Sequence, residues 1–250
     1  MPKIEALIFD VFGTVVDWQS TVTRELKELG EKHGAPTTTE WDKFAQEWES
    51  QLTQHTRRVA AGGAGSFNVD IVYREILDSM LNSEAWSTIG SIWSEETRNG
   101  LSMVWHRLDG WPDATPGLYA LKKHTIIATL SNGNVRLLVD MAKHADLPWD
   151  AVLSAELFQA YKPNSKIYLS ALQHLSVPPE RIALVAAHMY DLRAARALGM
   201  QTVYVPRPDE EGDPSVKSGE VKSKKDGGEV DWVVGSFEEL AQVVERVNKE

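Results

Sequence analysis

Six short apolar runs, most of them rich in valine and isoleucine, predict buried β-strands. They cover residues 4–9, 125–130, 151–153, 182–186, 202–205 and 232–234. Helical patterns at 135–144, 165–175 and 192–198 separate the later runs. Because alternating strands and helices build a parallel sheet with helices on both faces, the pattern predicts an α/β protein with a doubly wound parallel sheet.

The interval from about residue 18 to residue 107 follows a different period. Apolar residues recur there at helical spacing, as Val22, Leu26 and Leu29 do, and no convincing strand interrupts them. An insertion after the first strand emerges beside the carboxyl edge of the sheet, where open α/β sheets bind ligands. We therefore predict a core domain of residues 1–17 and 111–250 and a helical cap domain of residues 18–110.

Composition and charge narrow the class of partner. The chain has 250 residues, 26 basic and 36 acidic side chains, a net charge of -10 and no cysteine. Disulfides, thiol nucleophiles and cysteine-ligated zinc are excluded, and a reducing, cytoplasmic location is expected.

The excess of acidic side chains disfavours binding to nucleic acid, because affinity for nucleic acid comes from neutralising phosphates with lysine and arginine. No apolar run reaches the about 18 residues of a membrane span, and residues 1–16 make a poor signal peptide. A small-molecule partner is expected, with neither nucleic acid nor membrane.

Two segments are predicted to be loops. Residues 60–66 (AAGGAGS) are interpreted as a flexible connection rather than a phosphate loop, because they neither follow a strand nor contain a Lys-Ser or Lys-Thr pair. Residues 206–230 are rich in proline, glycine, serine and charge, which predicts a mobile surface loop. Acidic residues interrupt its lysines and favour a solvated loop over a basic patch. These lysines are Lys217, Lys222, Lys224 and Lys225.

Nine tryptophans are many for a chain of this length. Most are expected to anchor the core or a domain interface. The alternative, that they line an apolar pocket, applies to Trp18, Trp41, Trp48 and Trp105.

Reactive side chains stand at the ends of predicted strands or the starts of helices. Asp10 ends the first strand, where its carboxylate acts as a nucleophile or caps the next turn. Residues 130–133 (LSNG) place a hydroxyl and an amide near helix N–H groups that hold an anion. Lys162 supplies positive charge or lies in a surface loop. Asp191, which follows the run at 182–186, is a second active-site carboxylate or an N-cap.

Taken together and in chain order, these positions resemble the motifs of the haloacid dehalogenase (HAD) superfamily of α/β hydrolases. The sequences DVFGT, LSNGN, YKPNSKIY and VAAHMYDLRAARALG occur in the order of the family, with the helical insertion after the first. The resemblance spans nearly the whole chain and is carried by Asp10, Ser131, Lys162 and Asp191. It implies a Rossmann-like core with a helical cap.

Two positions separate the chain from the magnesium-dependent phosphatases of that superfamily. Phosphatases carry a second aspartate two residues after the nucleophile and an acidic magnesium ligand in the fourth motif. Here these positions are Phe12 and Ala187, whose side chains supply no oxygen ligand. The remaining motifs resemble the L-2-haloacid dehalogenase branch, which needs no metal or cofactor. This resemblance implies a hydrolytic dehalogenase of short 2-haloalkanoic acids, and a homodimer.

The same resemblance implies a mechanism and a role for each motif residue. Asp10 displaces halide in an SN2 reaction, and water then hydrolyses the aspartyl ester to a 2-hydroxy acid. By the same resemblance, Thr14 and Lys162 hold Asp10, and Tyr168 steadies the lysine. Ser131 binds the substrate carboxylate, Asn132 contacts the halide, and Asp191 positions and activates the water. Phe12 and Tyr190 form apolar walls.

Two departures from the branch leave alternatives open. Ala186 and His188 stand where the branch has serine and asparagine, so His188 hydrogen-bonds Asp191 or the water, or is inert.

The cap helix of the branch carries Trp-Arg, whereas this chain has Trp48 and Glu49, whose charge has the wrong sign for a carboxylate substrate. Arg57 and Arg58, about two turns further on, either replace the missing charge or are exposed helix residues. Glu49 therefore keeps two other hypotheses open. One is a hydrolase of a small substrate without a carboxylate, and the other is a catalytically impaired binding module.

Overall fold

The computed structural model of the chain describes residues 2–210 and 221–249. Its strands are β1 (Ala6–Phe9), β2 (Val16–Asp17), β3 (Asp109–Gly110), β4 (Ile126–Ser131), β5 (Ala151–Ser154), β6 (Ile182–Ala186), β7 (Gln201–Tyr204) and β8 (Trp232–Val233). Its α-helices are α1 (Trp18–Lys32), α2 (Trp41–Ala60), α3 (Val69–Leu81), α4 (Ser87–Ile92), α5 (Glu95–Ser102), α6 (Ala114–Leu121), α7 (Val135–His144), α8 (Ala155–Phe158), α9 (Ser165–Leu175), α10 (Met189–Arg196) and α11 (Phe237–Lys249).

A six-stranded parallel sheet forms the centre of the fold, in the order β5-β4-β1-β6-β7-β8. Every pairing within it is parallel. Strands covered by helices on both faces read as continuous apolar runs, and β1 (ALIF) is buried at all four positions. The predicted doubly wound α/β fold is confirmed. The chain leaves β1 toward β4 and later returns to its other side at β6, so the carboxyl end of β1 lies at a topological switch point.

The chain between β2 and β3 is helical. These two short strands pair antiparallel, so the segment leaves the core at Val16–Asp17 and returns at Asp109–Gly110. Helices α1 to α5 and a 3₁₀ turn at Met103–Arg107 fill the interval. The division into a core and a cap domain at these residues stays a prediction. None of the helices in the described ranges has the length and apolar character needed to cross a bilayer.

Aromatic side chains fill the interior of the helical segment. Trp105 stacks on Tyr73 with ring centroids 4.0 Å apart, and Trp48 meets Trp105 edge-on at 5.3 Å. The indole N–H of Trp48 donates to the Tyr73 carbonyl at 2.9 Å, which satisfies its polar edge. Trp41 stacks on Trp93 in the same interior. These tryptophans anchor the helices.

Composition predicts a mobile surface loop at 206–230, of which the structure describes residues 206–210 and 221–230. Most of these residues are exposed or half-buried. The side chain of Arg207 is only 7% exposed, pairs with Asp113 and donates to the Thr14 carbonyl. Further along, Lys224 pairs with Asp231 at 2.6 Å. Lys217 lies outside the described residues. The ion pair of Arg207 therefore fixes the start of the segment against Asp113, whereas the pair of Lys224 is local. The mobility of the segment stays a prediction.

His106, in the 3₁₀ turn, joins the helical segment to the core. Its Nε2 lies 3.0 Å from Asp70 on α3, and its Nδ1 lies 3.0 Å from Asp140 on α7. Burial alone would lower the pKa of His106, but the hydrogen bonds to the two carboxylates outweigh it and raise that pKa. The imidazolium form therefore bridges two elements that are distant in sequence.

This bridge predicts a pH-dependent stability. Because the pKa of His106 is raised on folding, its stabilisation is complete below the unfolded pKa of about 6.5 and is lost as the pH rises through the folded value. His106→Gln is expected to remove about 1–3 kcal/mol of unfolding free energy at pH 6 and less at high pH, measured by urea denaturation. His144→Gln, at an exposed ion pair with Asp109, is the control and should cost under about 1 kcal/mol. Parallel pH profiles for wild type and His106→Gln would contradict the assignment.

Candidate active site

Asp10 follows β1 directly and is buried at the carboxyl edge of the sheet, with 7% of its surface exposed. Its Oδ2 accepts a hydrogen bond from the Thr14 hydroxyl at 2.8 Å, and its Oδ1 lies 3.0 Å from the Lys162 ammonium. Thr14 Oγ1 in turn accepts from the backbone N–H of Ala187 at 2.9 Å, which fixes the hydroxyl. A rigid strand end and three neighbouring segments therefore set the position of this carboxylate.

Asp10 is held in its ionised form. Burial would raise its pKa, but the charge of Lys162 and the hydrogen bond from His188 outweigh burial and hold the pKa well below its usual range. A carboxylate that is ionised at neutral pH needs no base to act as a nucleophile.

Lys162 lies between α8 and α9 and is almost completely buried. Its ammonium bridges Asp10 Oδ1 and Asp191 Oδ2, the second at 2.5 Å. Burial would lower its pKa, but the two carboxylates raise it. The backbone N–H of Lys162 donates to Asn132 Oδ1 at 2.9 Å, so the loop after β4 fixes the lysine backbone.

Asp191 and Tyr168 form a hydrogen-bonded pair that contacts the Lys162 ammonium. Tyr168 donates its hydroxyl to Asp191 Oδ1, and Lys162 donates to the other oxygen of the same carboxylate. Both oxygens of Asp191 thus accept hydrogen bonds, and its side chain is fully buried. The geometry gives Asp191 a direct part in holding Lys162, and its role toward water stays a prediction.

His188 contacts the nucleophile itself. It precedes α10, and its Nδ1 lies 2.9 Å from Asp10 Oδ2, so the carboxylate that it contacts is Asp10 rather than the Asp191 expected from sequence. A contact with the hydrolytic water stays a prediction. Its Nε2 lies 3.4 Å from Glu210 Oε2. Burial would lower the pKa of His188, but hydrogen bonds to Asp10 and Glu210 raise it to about 10. The imidazole is therefore a cation between two carboxylates.

Glu210, in the segment after β7, is a charged site residue that the sequence did not predict. Its carboxylate lies against the turn after Asp10, where Gly13 has a φ of +75°. A Cβ atom on Gly13 would lie 2.0 Å from Glu210 Oε2. The glycine thus supplies both the left-handed backbone of the turn and the space that Glu210 occupies.

A cavity of about 450 Å³ opens above Asp10, between the helical segment and the sheet edge. Ser131 Oγ accepts from the Gly133 N–H at 3.1 Å and keeps its own proton for another acceptor. The oxygen of Asn132 is already engaged by Lys162, so its NH₂ group is the donor that remains. Phe12 and Tyr190 contribute ring surface. The lining residues are Asp10, Phe12, Trp18, Glu49, Leu52, Thr53, Thr56, Arg57, Val69, Tyr73, Ser131, Asn132, Gly133, His188, Tyr190, Asp209 and Glu210.

Helix α2 brings both signs of charge to this cavity. Glu49 accepts a hydrogen bond from Thr53 at 2.6 Å, and burial raises its pKa more than that bond lowers it. Arg57 also lines the cavity, whereas Arg58 points to the Ala64 carbonyl and His55. Of the two arginines that the sequence offered as substitutes for the missing cap cation, the structure brings Arg57 to the site.

Phe12 and Ala187 occupy the two positions where phosphatases carry acidic residues. Phe12 packs beside Trp105, and the Ala187 N–H donates to Thr14. Among the described residues, no group of three or more histidines or acidic residues is placed to hold a metal ion. Independence from metal stays a prediction, which a chelator tests below.

Comparison with known proteins identifies the family. The family model of haloacid dehalogenase-like hydrolases matches residues 4–199. The chain belongs to this family. The match indicates a hydrolase, and the solved structures that resemble this haloacid dehalogenase-like hydrolase include the L-2-haloacid dehalogenase PA0810. That structure is 34% identical, covers 96% of this chain and 99% of its own, and superposes with a TM-score of 0.83.

Two further relatives of this haloacid dehalogenase-like hydrolase carry related names. The structure of the defluorinating L-2-haloacid dehalogenase Rha0230 is 32% identical, with 97% of this chain and 95% of that chain covered and a TM-score of 0.84. The (S)-2-haloacid dehalogenase 1 of Pseudomonas sp. (strain CBS-3) is 28% identical over 211 residues, which are 83% of this chain and 86% of the relative.

Proposed function

We propose that the protein is a hydrolytic dehalogenase of short 2-haloalkanoic acids. One observation carries the proposal: an ionised, buried carboxylate, Asp10, lies at the floor of a small cavity and is held by Lys162, Thr14 and His188. The names of relatives that match 83% to 97% of this chain support the same substrate class.

The reaction begins with displacement of halide. A carboxylate oxygen of Asp10 forms a bond to the carbon that bears the halogen, and the carbon–halogen bond breaks with its electron pair leaving on the halide. Attack from the opposite face inverts that carbon. Phe12 and Tyr190 line the cavity and limit solvation of the nucleophile and the leaving group.

Water then hydrolyses the aspartyl ester. Attack at Cγ of Asp10 releases a 2-hydroxy acid and regenerates the carboxylate. Lys162 holds Asp10 throughout, Tyr168 fixes Asp191 behind it, and Asp191 helps to position and activate the water.

The loop after β4 and helix α2 bind the substrate anion. Ser131 offers its hydroxyl to the carboxylate of the substrate, and Asn132 offers its NH₂ group to the leaving halide. Arg57 supplies the positive charge that Glu49 does not. This arrangement places donors and one cation around a small anion.

Halide release with a chelator present tests this function. The expected result is stoichiometric halide from one enantiomer of 2-chloropropionate, unchanged by excess EDTA and accompanied by the 2-hydroxy acid of inverted configuration. Haloacetates, including fluoroacetate, complete the panel. No halide from any 2-haloacid, at an enzyme concentration high enough to see a single turnover, would reject the proposal.

A second substrate class is favoured by the acidic residues of the cavity. Glu49, Asp209 and Glu210 line it together and oppose a carboxylate substrate. A hydrolase of a neutral electrophile would therefore prefer 2-chloropropionamide to 2-chloropropionate. The ratio of kcat/KM for these two compounds separates the two substrate classes, and binding without any turnover would indicate a binding module.

Glu49→Gln is expected to raise kcat/KM for 2-chloropropionate. Two unit charges about 8 Å apart repel by roughly 1–2 kcal/mol at an effective dielectric of about 20–40, which is about a 5- to 30-fold effect. Because burial raises the pKa of Glu49, the carboxyl is more often neutral at low pH, so the gain should grow as the pH rises. Asp42→Asn removes a charge from the exposed start of the same helix and is the control. Unchanged or lower kcat/KM in Glu49→Gln would favour the second substrate class.

A further inference from the structure

The two oxygens of Asp10 differ in how many donors they meet. Oδ2 accepts from Thr14 at 2.8 Å and lies 2.9 Å from His188 Nδ1, whereas Oδ1 meets only Lys162 among the described side chains. A carboxylate oxygen has two lone pairs directed at hydrogen-bond partners. Oδ1 therefore keeps a lone pair for attack on carbon, and Oδ2 does not.

This asymmetry assigns the oxygens in the ester. If Oδ1 forms the new bond, it becomes the ester oxygen, and Oδ2 becomes the carbonyl oxygen. Negative charge develops on the carbonyl oxygen when water attacks Cγ. The donors of an oxyanion hole lie about 2.7–3.1 Å from such an oxygen, and Thr14 and His188 already stand at these distances.

We propose that Thr14 and an imidazolium at His188 form the oxyanion-binding pair for hydrolysis of the Asp10 ester, and that Glu210 is the residue that positions His188. The inference rests on the proposed dehalogenation and adds an assignment within its second step. His188 is thereby a catalytic residue, because it touches the reacting oxygen.

Protons and electrons balance over this step. Water forms a bond to Cγ, and the carbonyl electron pair moves onto Oδ2, where Thr14 and His188 bind it. The pair then re-forms the carbonyl as the bond between Cγ and Oδ1 breaks. Oδ1 leaves in the product and takes one proton of the water, and the other proton passes to solvent. His188 is protonated before and after the step.

Glu210 becomes essential once the ester has formed. Esterification removes the negative charge of Asp10, which is one of the two charges that favour the imidazolium. Glu210, beside Nε2, is the carboxylate that remains in contact. The charged and titratable groups around His188 are Asp10 after β1, Lys162 before α9, Tyr190 and Asp191 on α10, Glu210 after β7, and Glu49 and Arg57 on α2.

Rapid-quench halide measurement and intact-protein mass spectrometry separate the two steps. With 2-chloropropionate, His188→Ala is expected to release about one halide per site and then to stall as the covalent ester, with hydrolysis slowed roughly 10²- to 10³-fold. Glu210→Gln should also accumulate ester, with hydrolysis slowed by about 10-fold or more. In the pH profile of its hydrolysis rate, the alkaline limb should move to lower pH by about one unit, because the His188 imidazolium loses the negative charge of Glu210.

Asp42→Asn is the control, because it removes one exposed carboxylate that does not line the cavity. It should leave the alkaline limb at the wild-type pH. The inference is overturned if His188→Ala loses the halide burst and the hydrolysis equally, if Glu210→Gln leaves the limb in place, or if the rate of ester hydrolysis, measured after the halide burst, falls on the acid side as a general base requires. A wild-type enzyme that releases no halide overturns the proposed function as well, which distinguishes the two failures.

Discussion

Asp10→Asn is expected to lower halide release from 2-haloacids by at least about 10⁴-fold, to the uncatalysed background. The carboxamide has the shape of the carboxylate but lacks its negative charge and its nucleophilic lone pairs. It also cannot accept from the three donors that now surround it without turning its NH₂ group toward one of them. The measurement is halide release together with a search for the ester on the intact protein.

Asp17→Asn is the control for this change. Asp17 caps α1 by accepting from the Ser20 N–H, and asparagine caps helices equally well. This variant should keep both its thermal stability and its turnover. Halide release by Asp10→Asn within tenfold of wild type, with the substitution verified by mass, would remove Asp10 from the mechanism.

The position of Asp10 was predictable because local sequence determines it. A strand buried on both faces needs a continuous apolar run, so the first polar residue after 6–9 marks the end of the strand. Parallel strands end at one edge, which brings Asp10, Ser131 and His188 together without any knowledge of distances. The carboxylate that His188 contacts was not predictable, because Asp10 and Asp191 both lie at this site and the sequence does not give the orientation of the ring.

Helical spacing on α2 also indicates which of its two arginines faces the cavity. The residues of this helix that line the cavity lie at i, i+3, i+4, i+7 and i+8 from Glu49, which is one face of a helix. This period selects Arg57 over Arg58 once Glu49 is assigned to the site. The residues on that face are Glu49, Leu52, Thr53, Thr56 and Arg57.

No sequence pattern of this kind indicates that Glu210 belongs to the site. Its neighbours in sequence are prolines and acidic residues, a composition that normally describes solvated loops. What places it in the site is Arg207, whose ion pair with Asp113 docks the segment, and Gly13, whose missing side chain leaves room. Both are long-range contacts between side chains, and the pattern of a single segment does not encode them.

Lys162→Met is expected to lower turnover by roughly 10²- to 10⁴-fold and to move the acid limb of the pH profile upward. Without the ammonium, only His188 opposes the effect of burial on Asp10, so the pKa of Asp10 rises and the nucleophile is protonated over more of the acid range. Loss of one partner from a buried ion pair also costs about 3–5 kcal/mol of unfolding free energy, because Asp10 and Asp191 are left together. Halide release against pH and urea denaturation measure the two effects.

The double variant Lys162→Met/Asp191→Asn separates stability from catalysis. It removes the charge that Lys162 neutralised behind the nucleophile, so much of the lost unfolding free energy should return while turnover stays low. Lys166→Met, at the exposed start of α9, is the control and should behave as wild type. If the double variant regained turnover along with stability, Lys162 would serve only to neutralise Asp191. If the halide burst of the first step stays slow in a stable protein, the ammonium acts on Asp10 itself, which it contacts at Oδ1 at 3.0 Å, because the role of Asp191 toward water concerns only the second step.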